Sequence, residues 1–414
     1  MALQLNFLFA SVAGLRSVDP KEKYSVYGYR SRDFIAPHEE GITPMHRVIP
    51  ILAAAALALL SGCSGGTSKV VIVGAVLPMT GSAAQWGGPA RDAVLMAQEE
   101  INAAGGINGD SLKVVFEDDR CEAATGVSAM QHLIATVHPV AVIGAVCSSV
   151  TLAIAPVAEQ NRIVLLSPAS TNPAITNAGD YIFRDVPSDA LRGQVFSKYV
   201  SSLGIDSVSI LYINNDGGLG NEQTFAENFK KLGGTVVSTE TYAQDARDMR
   251  SQLTKIKSRK TRALVVVSYP DDTPIILRQV KELGIHVPLY FQTEALDDPA
   301  VIRNAGGAAE GATYILPAAA EGRVPQDFAS NYRKRYGREP EQFAAEAYDA
   351  TELIAKLLRA ASRVSSDALK TGLYATKDYS GASGVLSFDS NGDVSKPMVI
   401  KRIQAGQRQV VARQ

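Results

Sequence analysis

The sequence has few of the residues on which most catalytic and metal sites depend. Its 414 residues include five histidines and three cysteines, and no HExxH, CxxC or Walker A motif occurs. The glycine-rich run at 217–220 completes no GxGxxG fingerprint, so it is weak evidence for a nucleotide. The sequence therefore predicts no enzyme, no cofactor and no metal site. The histidines after residue 63 lie far apart, without ligand-like neighbours: His132, His138 and His286.

The sequence also lacks an excess of charge of either sign. The formal net charge is −1, with 20% charged and 46% hydrophobic residues. Nucleic-acid binding calls for a basic face, so this composition gives it no support. The length and the apolar content predict a soluble globular protein of about two domains, each with its own core.

A short hydrophobic run, 48–60, lies well inside the chain. Met45, a histidine and an arginine precede it, and small residues follow it up to Cys63. A basic start, about 7–15 apolar residues and small residues at the break are typical of a secretory signal peptide. The alternative is a transmembrane helix, which needs about 20 apolar residues. We therefore predict a signal peptide over 45–62.

The residues before this signal, 1–44, mix charge, proline and tyrosine without a sustained period. Because a signal peptide acts at an N-terminus, we interpret them as upstream sequence from a misplaced start, with Met45 as the initiator. A genuine cytoplasmic extension on a membrane anchor is the alternative. The ending LSGC at 60–63 resembles the lipobox of bacterial lipoproteins, which implies a diacylglycerol on Cys63 and a tether over 63–69.

Two cysteines remain once Cys63 is assigned to lipid. Cys121 and Cys147 each follow a predicted strand, 112–116 and 140–143, so both can lie on the same sheet edge. An exported chain enters an oxidising compartment, where cysteine pairs form disulfides. We predict a Cys121–Cys147 disulfide; a pair of free buried thiols is the alternative.

From residue 70 onwards, short apolar strands alternate with helical patterns. The strand at 70–76 is apolar throughout, as in a sheet that is covered on both faces. Repeated units of this kind with short connections predict parallel sheets wound right-handedly. About nine predicted strands are more than one sheet holds comfortably, so we predict two Rossmann-like lobes.

Residues 141–173 form the pattern strand, loop, helix, strand and loop, with hydroxyl-rich turns after both strands. In a parallel sheet both strand ends lie on the edge where ligands of open α/β sheets bind. Ser148 and Ser149 begin the helix, so their hydroxyls and the first backbone N–H groups can meet an anion. Capping of helices and turns is the alternative use of such residues. The turn at 167–173 is one βα unit away, so we predict a shared site.

Several motifs, in their order and spacing, resemble the leucine/isoleucine/valine-binding family of periplasmic proteins, the receptors of branched-chain amino acid ABC transporters. The resemblance covers the chain from about residue 70 to the C-terminus. The set is specific, although any one motif would not be. The motifs are LPMTG at 77–81 with AQWG at 84–87, NAAGGING at 102–109, EDDRC at 117–121, CSS at 147–149, SPASTNP at 167–173 and GVLSFD at 384–389.

The resemblance implies an α/β chain with the type I periplasmic binding fold, in which two Rossmann-like lobes are joined by three crossovers and close over a ligand. It places the crossovers near 184–188, 313–317 and 384–388. Lobe one would then comprise 70–186 plus 315–385, and lobe two 187–314 plus 386–414.

The resemblance also implies how a zwitterionic ligand is held. Ser148, Ser170 and Thr171 would bind the α-carboxylate, and Glu294 and Tyr269 the α-ammonium. Both lobe-two residues follow predicted strands, so the residues themselves agree with this arrangement. Because Glu294 would face the cleft and support no core, its loss is expected to leave the melting temperature of the unliganded protein nearly unchanged.

An aromatic wall would meet the ligand side chain. The resemblance implies Trp86 for this wall, and Phe343 as its second ring. Two departures from the family pattern change the surroundings of the ligand: Ala169 and Ser170 replace the usual Gly-Ala, and Leu219 replaces a Tyr.

These inferences predict a lipid-anchored, extracytoplasmic solute-binding protein of an ABC importer. It would be a monomer that binds a branched-chain or other aliphatic amino acid and delivers it to permease and ATPase subunits. A ligand sensor or receptor component of the same fold is the first alternative. Relatives that bind an amide, urea or an aromatic acid are the second, and a Rossmann-type enzyme with a copurifying cofactor is the third.

Overall fold

The computed structural model describes residues 69–341 and 343–414, and the predicted alternation of strands and helices is present there. The predicted signal peptide, the start at Met45 and the lipidated Cys63 all lie outside these residues. Among the helices of the described part, none is long and apolar enough to cross a membrane.

The first lobe is built on a sheet whose inner strands are apolar and almost wholly buried, which suits a sheet with helices on both faces. The strands are all parallel, in the order β2-β1-β3-β4-β5. In chain order the elements are β1 (Val70–Leu77), α1 (Ala84–Ala103), β2 (Ser111–Asp118), α2 (Ala123–Val137), β3 (Ala141–Gly144), α3 (Ser148–Asn161), β4 (Val164–Ser167) and β5 (Ile182–Arg184).

The second lobe repeats the same construction. Its elements are α4 (Asp189–Ser202), β6 (Ser207–Ile213), α5 (Asp216–Lys231), β7 (Thr235–Tyr242), α6 (Arg250–Lys257), β8 (Ala263–Val267), α7 (Thr273–Glu282), β9 (Leu289–Phe291), α8 (Pro299–Asn304) and β10 (Thr313–Pro317). These strands run parallel in the order β10-β9-β8-β6-β7. In each lobe the strand order therefore reverses once, beside β1 and β3 in the first and beside β6 and β8 in the second.

The C-terminal part of the chain returns to both lobes. Its elements are α9 (Arg323–Tyr336), α10 (Ala344–Ala360), α11 (Ser366–Ala375), β11 (Tyr379–Gly381), β12 (Gly384–Leu386), β13 (Met398–Gln404) and β14 (Gln407–Arg413). Helix α10 packs against α1, where the Tyr348 hydroxyl donates to Glu100 at 2.6 Å. Strands β13 and β14 extend the second sheet beyond β10 in antiparallel pairing.

Because of this pairing, two of the crossovers between the lobes lie later in the chain than the sequence predicted. Strand β10 pairs along its full length in the second sheet, so the chain leaves lobe two after Pro317 rather than near residue 315. The last crossing also comes later than 384–388. Phe388 packs on Phe183 of lobe one, and Asp393 forms an ion pair with Arg184, with 2.7 Å between Oδ1 and Nε. The chain thus crosses between Asp393 and the start of β13.

The predicted disulfide is present. Cys121 and Cys147 are bonded, with their Cα atoms 5.5 Å apart. Both cysteines are buried, and Cys147 immediately precedes the first turn of α3. The bridge therefore ties the segment after β2 to the start of α3, where Ser148 lies.

We expect loss of this disulfide to lower the free energy of unfolding by about 3 kcal/mol, because the unfolded chain is no longer constrained by a closed loop. The sequence separation of the two cysteines is 26 residues. Urea unfolding of the double variant Cys121→Ala/Cys147→Ala, beside the parent with and without reductant, measures this loss. Coincident curves for the oxidised parent and the double variant would contradict the prediction.

Candidate functional site

The carboxyl ends of strands from both lobes meet around one small cavity. Ligands of open α/β sheets bind where the strand order reverses. Ten of the twelve lining residues follow β1, β3, β4, β6, β8 or β9, whereas Arg192 follows β5 and Phe343 precedes α10. The cavity encloses about 30 Å³, and we call it the clamp cavity. It is lined by Trp86, Val146, Ser148, Ala169, Thr171, Arg192, Gly217, Asn221, Tyr269, Thr293, Glu294 and Phe343.

On the lobe-one side, hydroxyls and a helix N-terminus face the clamp cavity. Ser148 is the first residue of α3, and its hydroxyl accepts from the backbone N–H of Asn172 at 3.2 Å. The turn into this loop needs Gly144, whose φ is +142° and whose Cβ would lie 2.3 Å from the Val76 carbonyl oxygen. The free N–H groups at the start of α3 make this side attractive to an anion.

On the lobe-two side, three charged side chains form a buried cluster: Asp189, Arg192 and Glu294. The Arg192 guanidinium forms an ion pair with Glu294, lies 3.4 Å from Asp189 Oδ1, and donates to the Gln292 carbonyl at 3.0 Å. The other oxygen of Asp189 accepts from Thr171 of lobe one at 2.7 Å. We call these three residues the charged cluster.

The charged cluster is net negative. Burial raises the pKa of Asp189 to about 6, against the opposing effects of Arg192 and Thr171. Burial would lower the pKa of Arg192, but Glu294 and Asp189 outweigh it and hold that pKa above its ordinary value. The cluster has two carboxyl groups and one guanidinium, so its formal charge beside the clamp cavity is about −1.

Glu294 thus differs from its sequence-based expectation. It is 4% exposed, and its carboxylate is the counter-ion of Arg192, which is 1% exposed. A buried guanidinium that loses its partner is costly, because the charge stays out of water. The ion pair differs from the premise that Glu294 supports nothing in the unliganded fold, so we expect its loss to lower the melting temperature of the unliganded protein.

Three aromatic rings close the clamp cavity. Trp86 packs edge-on against Tyr269, with ring centroids 5.0 Å apart, and against Phe343 at 5.5 Å. Trp86 and Phe343 come from lobe one and Tyr269 from lobe two. Burial raises the pKa of Tyr269 well above its ordinary value, so its hydroxyl stays protonated. It donates to Asn215 Oδ1 at 3.4 Å, and its oxygen can accept a hydrogen bond.

The glycine-rich run at 217–220 lies inside α5, and it lets the two lobes approach closely. A Cβ on Gly217 would lie 2.9 Å from the Tyr269 hydroxyl, and a Cβ on Gly220 would lie 2.6 Å from the Asn172 side-chain nitrogen. Asn172 belongs to lobe one, so a larger residue at 220 would hold the lobes apart. A larger residue at 217 would crowd Tyr269 within lobe two. The sequence predicted that Leu219 contacts the ligand. Leu219 lies instead on the outer side of the helix, is 39% exposed and does not line the clamp cavity.

Further hydrogen bonds join the lobes at the rim of the cleft. The Gln85 amide of lobe one donates to Asp271 of lobe two at 2.7 Å. The Gln244 amide of lobe two donates to the Cys121 carbonyl of lobe one at 3.0 Å. The conformation is therefore one in which the lobes are in contact along the cleft.

Seven of the ten predicted ligand residues line the clamp cavity, whereas Ser149, Ser170 and Leu219 do not. The Ser170 hydroxyl instead bonds the Ala145 carbonyl at 2.9 Å and the Thr151 hydroxyl at 2.7 Å, so it stabilises the loop. The Ser149 hydroxyl is buried and has no hydrogen-bond partner among the described residues. The sequence analysis missed Val146, Arg192, Gly217, Asn221 and Thr293.

Comparison with known proteins agrees with this architecture. The sequence profile of one family, described as periplasmic binding protein, matches residues 70–408. The chain belongs to this family. The family is a solute-binding, non-enzymatic type of protein, and the periplasmic binding proteins of ABC importers act outside the cytoplasm.

Individual relatives support the assignment to the family. The leucine-, isoleucine-, valine-, threonine- and alanine-binding protein of Pseudomonas aeruginosa is 28% identical over 359 residues, which cover 86% of this chain and 94% of the relative. The leucine-binding protein LivK of Thermotoga maritima is 28% identical, with a TM-score of 0.77 over 83% of this chain and 98% of that one. The substrate-binding protein LivJ of Streptococcus pneumoniae, solved with isoleucine, is 29% identical, with a TM-score of 0.75 over 84% of this chain and 100% of that one.

Proposed function

We propose that this protein is the extracytoplasmic solute-binding component of an ABC importer, and that it binds an α-amino acid with an aliphatic side chain between its two lobes. The hydroxyl of Ser148 and the N-terminus of α3 would bind the α-carboxylate. The charged cluster and the Tyr269 hydroxyl would hold the α-ammonium.

The proposal rests on the opposite charge preferences of the two sides of the clamp cavity. An anion-binding helix terminus in lobe one faces a net negative cluster in lobe two across the clamp cavity. A zwitterion carries complementary charges at its two ends, so it satisfies both sides at once. The relatives named for leucine, isoleucine and valine, and the LivJ structure with isoleucine, are consistent with such a ligand.

The same charge argues against the two other ligand classes. A benzoate-like acid would bring a second negative charge close to the charged cluster without an ammonium to offset it. Urea or a simple amide would leave the net negative charge without a cation. A sensor or receptor role needs the same binding site, so the choice between transport and sensing depends on partner proteins.

Calorimetric titration of the purified protein with leucine, isoleucine, valine, threonine, alanine, benzoate and urea tests the proposal. We expect heat from one or more of the amino acids and none from benzoate or urea. Binding of benzoate or urea without binding of any amino acid would overturn it.

Delivery to an importer calls for a permease and an ATPase subunit as partners, with this protein acting as a monomer. We propose that it is held at the membrane surface through lipid on Cys63 after removal of 45–62. A single acyl chain gives only weak membrane binding, so a diacylglycerol is the kind of anchor that would retain the protein.

We expect Cys63→Ala to prevent acylation and normal cleavage, and so to change the mass of the membrane-extracted protein. Mass analysis of the N-terminus of the parent should find an acylated Cys63 and no residue from 1–44. A parent that retains residues before Met45, or a variant processed like the parent, would count against the proposed anchor and start.

A further inference from the structure

The clamp cavity is small for an amino acid that has a side chain. It encloses about 30 Å³, whereas ligand pockets usually enclose about 300–1,000 Å³. Its polar groups match the two charged ends of a zwitterion. A side chain of several carbons therefore needs space outside it.

A second, larger space adjoins the clamp cavity. This outer chamber lies between the lobes and encloses about 630 Å³. Three residues line both spaces, namely Trp86, Glu294 and Phe343. Since the two spaces share these side chains, a group on the Cα of a bound amino acid has a short path into the chamber.

Part of the chamber wall is apolar. Phe328 of α9 and Leu316 of β10 are buried side chains that contribute to it. Pro325 and Ala329, also on α9, are half-buried beside them. These walls can cover an aliphatic or aromatic stem and remove it from water.

The charged side chains of the chamber already have partners. Asp297 pairs with Lys401 at 2.8 Å and lies 3.6 Å from Arg408. Asp298 caps α8 through the backbone N–H of Ala300 at 2.6 Å. The remaining carboxylates pair with guanidinium or ammonium groups outside the chamber: Glu294 with Arg192, Glu339 with Arg333, Glu341 with Arg338 and Glu346 with Lys396.

We propose that the outer chamber is a second ligand subsite, which takes the distal part of an uncharged side chain longer than that of leucine. The inference rests on the proposed function, because it assumes that the clamp cavity holds the α-ammonium and α-carboxylate. The paired charges favour a neutral side chain over a charged one, and the apolar walls favour a hydrocarbon stem.

Calorimetric titration of the purified protein with alanine, leucine and 2-aminooctanoate tests the subsite. We expect 2-aminooctanoate to bind about tenfold more tightly than leucine, since each added methylene that leaves water is favourable. In Ala329→Phe, a ring would fill part of the chamber. This variant should abolish the gain and leave alanine binding unchanged.

Ala135→Phe, at an exposed position on α2 of lobe one, is the matched control and should bind all three ligands like the parent. Leucine binding with weaker or equal binding of 2-aminooctanoate by the parent would overturn the subsite and leave the proposed function intact. An equal loss for all three ligands in Ala329→Phe would also overturn it. If no amino acid binds the parent, the subsite and the proposed function both fail.

Discussion

Glu294→Gln should bind the best amino-acid ligand about 30-fold to several thousandfold more weakly than the parent. The range corresponds to about 2–5 kcal/mol, as expected when one partner of a buried charge pair is truncated. The substitution removes one carboxylate from the charged cluster, so the cluster becomes neutral and no longer attracts the ligand ammonium. Titration calorimetry measures the change.

Two further variants make this result specific. Ser148→Ala removes one hydrogen bond to the ligand carboxylate and should cost about 1.5–3 kcal/mol. Glu227→Gln removes a charge at an exposed position on α5 and should bind like the parent. If Glu294→Gln binds as tightly as Glu227→Gln, then the ligand has no ammonium at this point, and the amino-acid proposal falls.

Arg192→Met should lower the free energy of unfolding by about 3–5 kcal/mol, the usual effect of breaking a buried ion pair by removing one partner. Without Arg192, the carboxylates of Asp189 and Glu294 lie close together in a buried site with no cation between them. Methionine keeps much of the volume of the arginine stem, so a large loss would reflect charge rather than a cavity. Urea unfolding followed by circular dichroism measures the difference.

The loss in Arg192→Met should grow with pH. In the parent, the pKa of Asp189 is about 6 when folded, above its ordinary value of 3.8. A group with a raised pKa contributes stability that is complete below about pH 4 and is lost as pH rises through about 6. Removal of the cation raises this pKa further, so the gap between variant and parent should widen from pH 5 to pH 8.

Arg162→Met is the matched control for this experiment. Arg162 is exposed and pairs with Asp367 at the surface, where ion pairs contribute little. Its unfolding curve should follow that of the parent at each pH. A constant difference between Arg192→Met and the parent from pH 5 to pH 8 would contradict the role given to the two carboxylates.

The fold could be predicted from the sequence because its signals are local. Apolar strands, helical spacing and glycine-terminated helices recur along the chain, and each determines its own element. The position of Ser148 at the first turn of α3, and the pairing of Cys121 with Cys147, followed from the strands that precede them. Strand β14 was missed because it lies at the sheet edge and its residues are mostly exposed, so it has no buried face to produce an alternating pattern.

The charged cluster could not be predicted because its members meet only in three dimensions. Arg192 lies 102 residues before Glu294, and nothing local distinguishes it from a solvated helix residue. The same holds for the glycines at 217 and 220. Glycine is required there because Tyr269 and Asn172 lie too close for a Cβ, and neither neighbour belongs to the same helix. For Ser170, the hydroxyl-rich turn correctly predicted a loop near the site. The direction of the hydroxyl could not be predicted, because it depends on the hydrogen bond to the Ala145 carbonyl.

The hydrogen bond from Gln244 to the Cys121 carbonyl also bears on how long a ligand stays bound. A ligand can leave only when the lobes separate, and separation breaks this bond together with those of Gln85 and Thr171. A hydrogen bond of about 1 kcal/mol slows such a step about fivefold if it is broken before the transition state. The disulfide joins Cys121 to the residue before Ser148, so the rim contact and the proposed carboxylate site are covalently connected. The time for which a ligand stays bound and the binding of its carboxylate would therefore both depend on the Cys121–Cys147 disulfide.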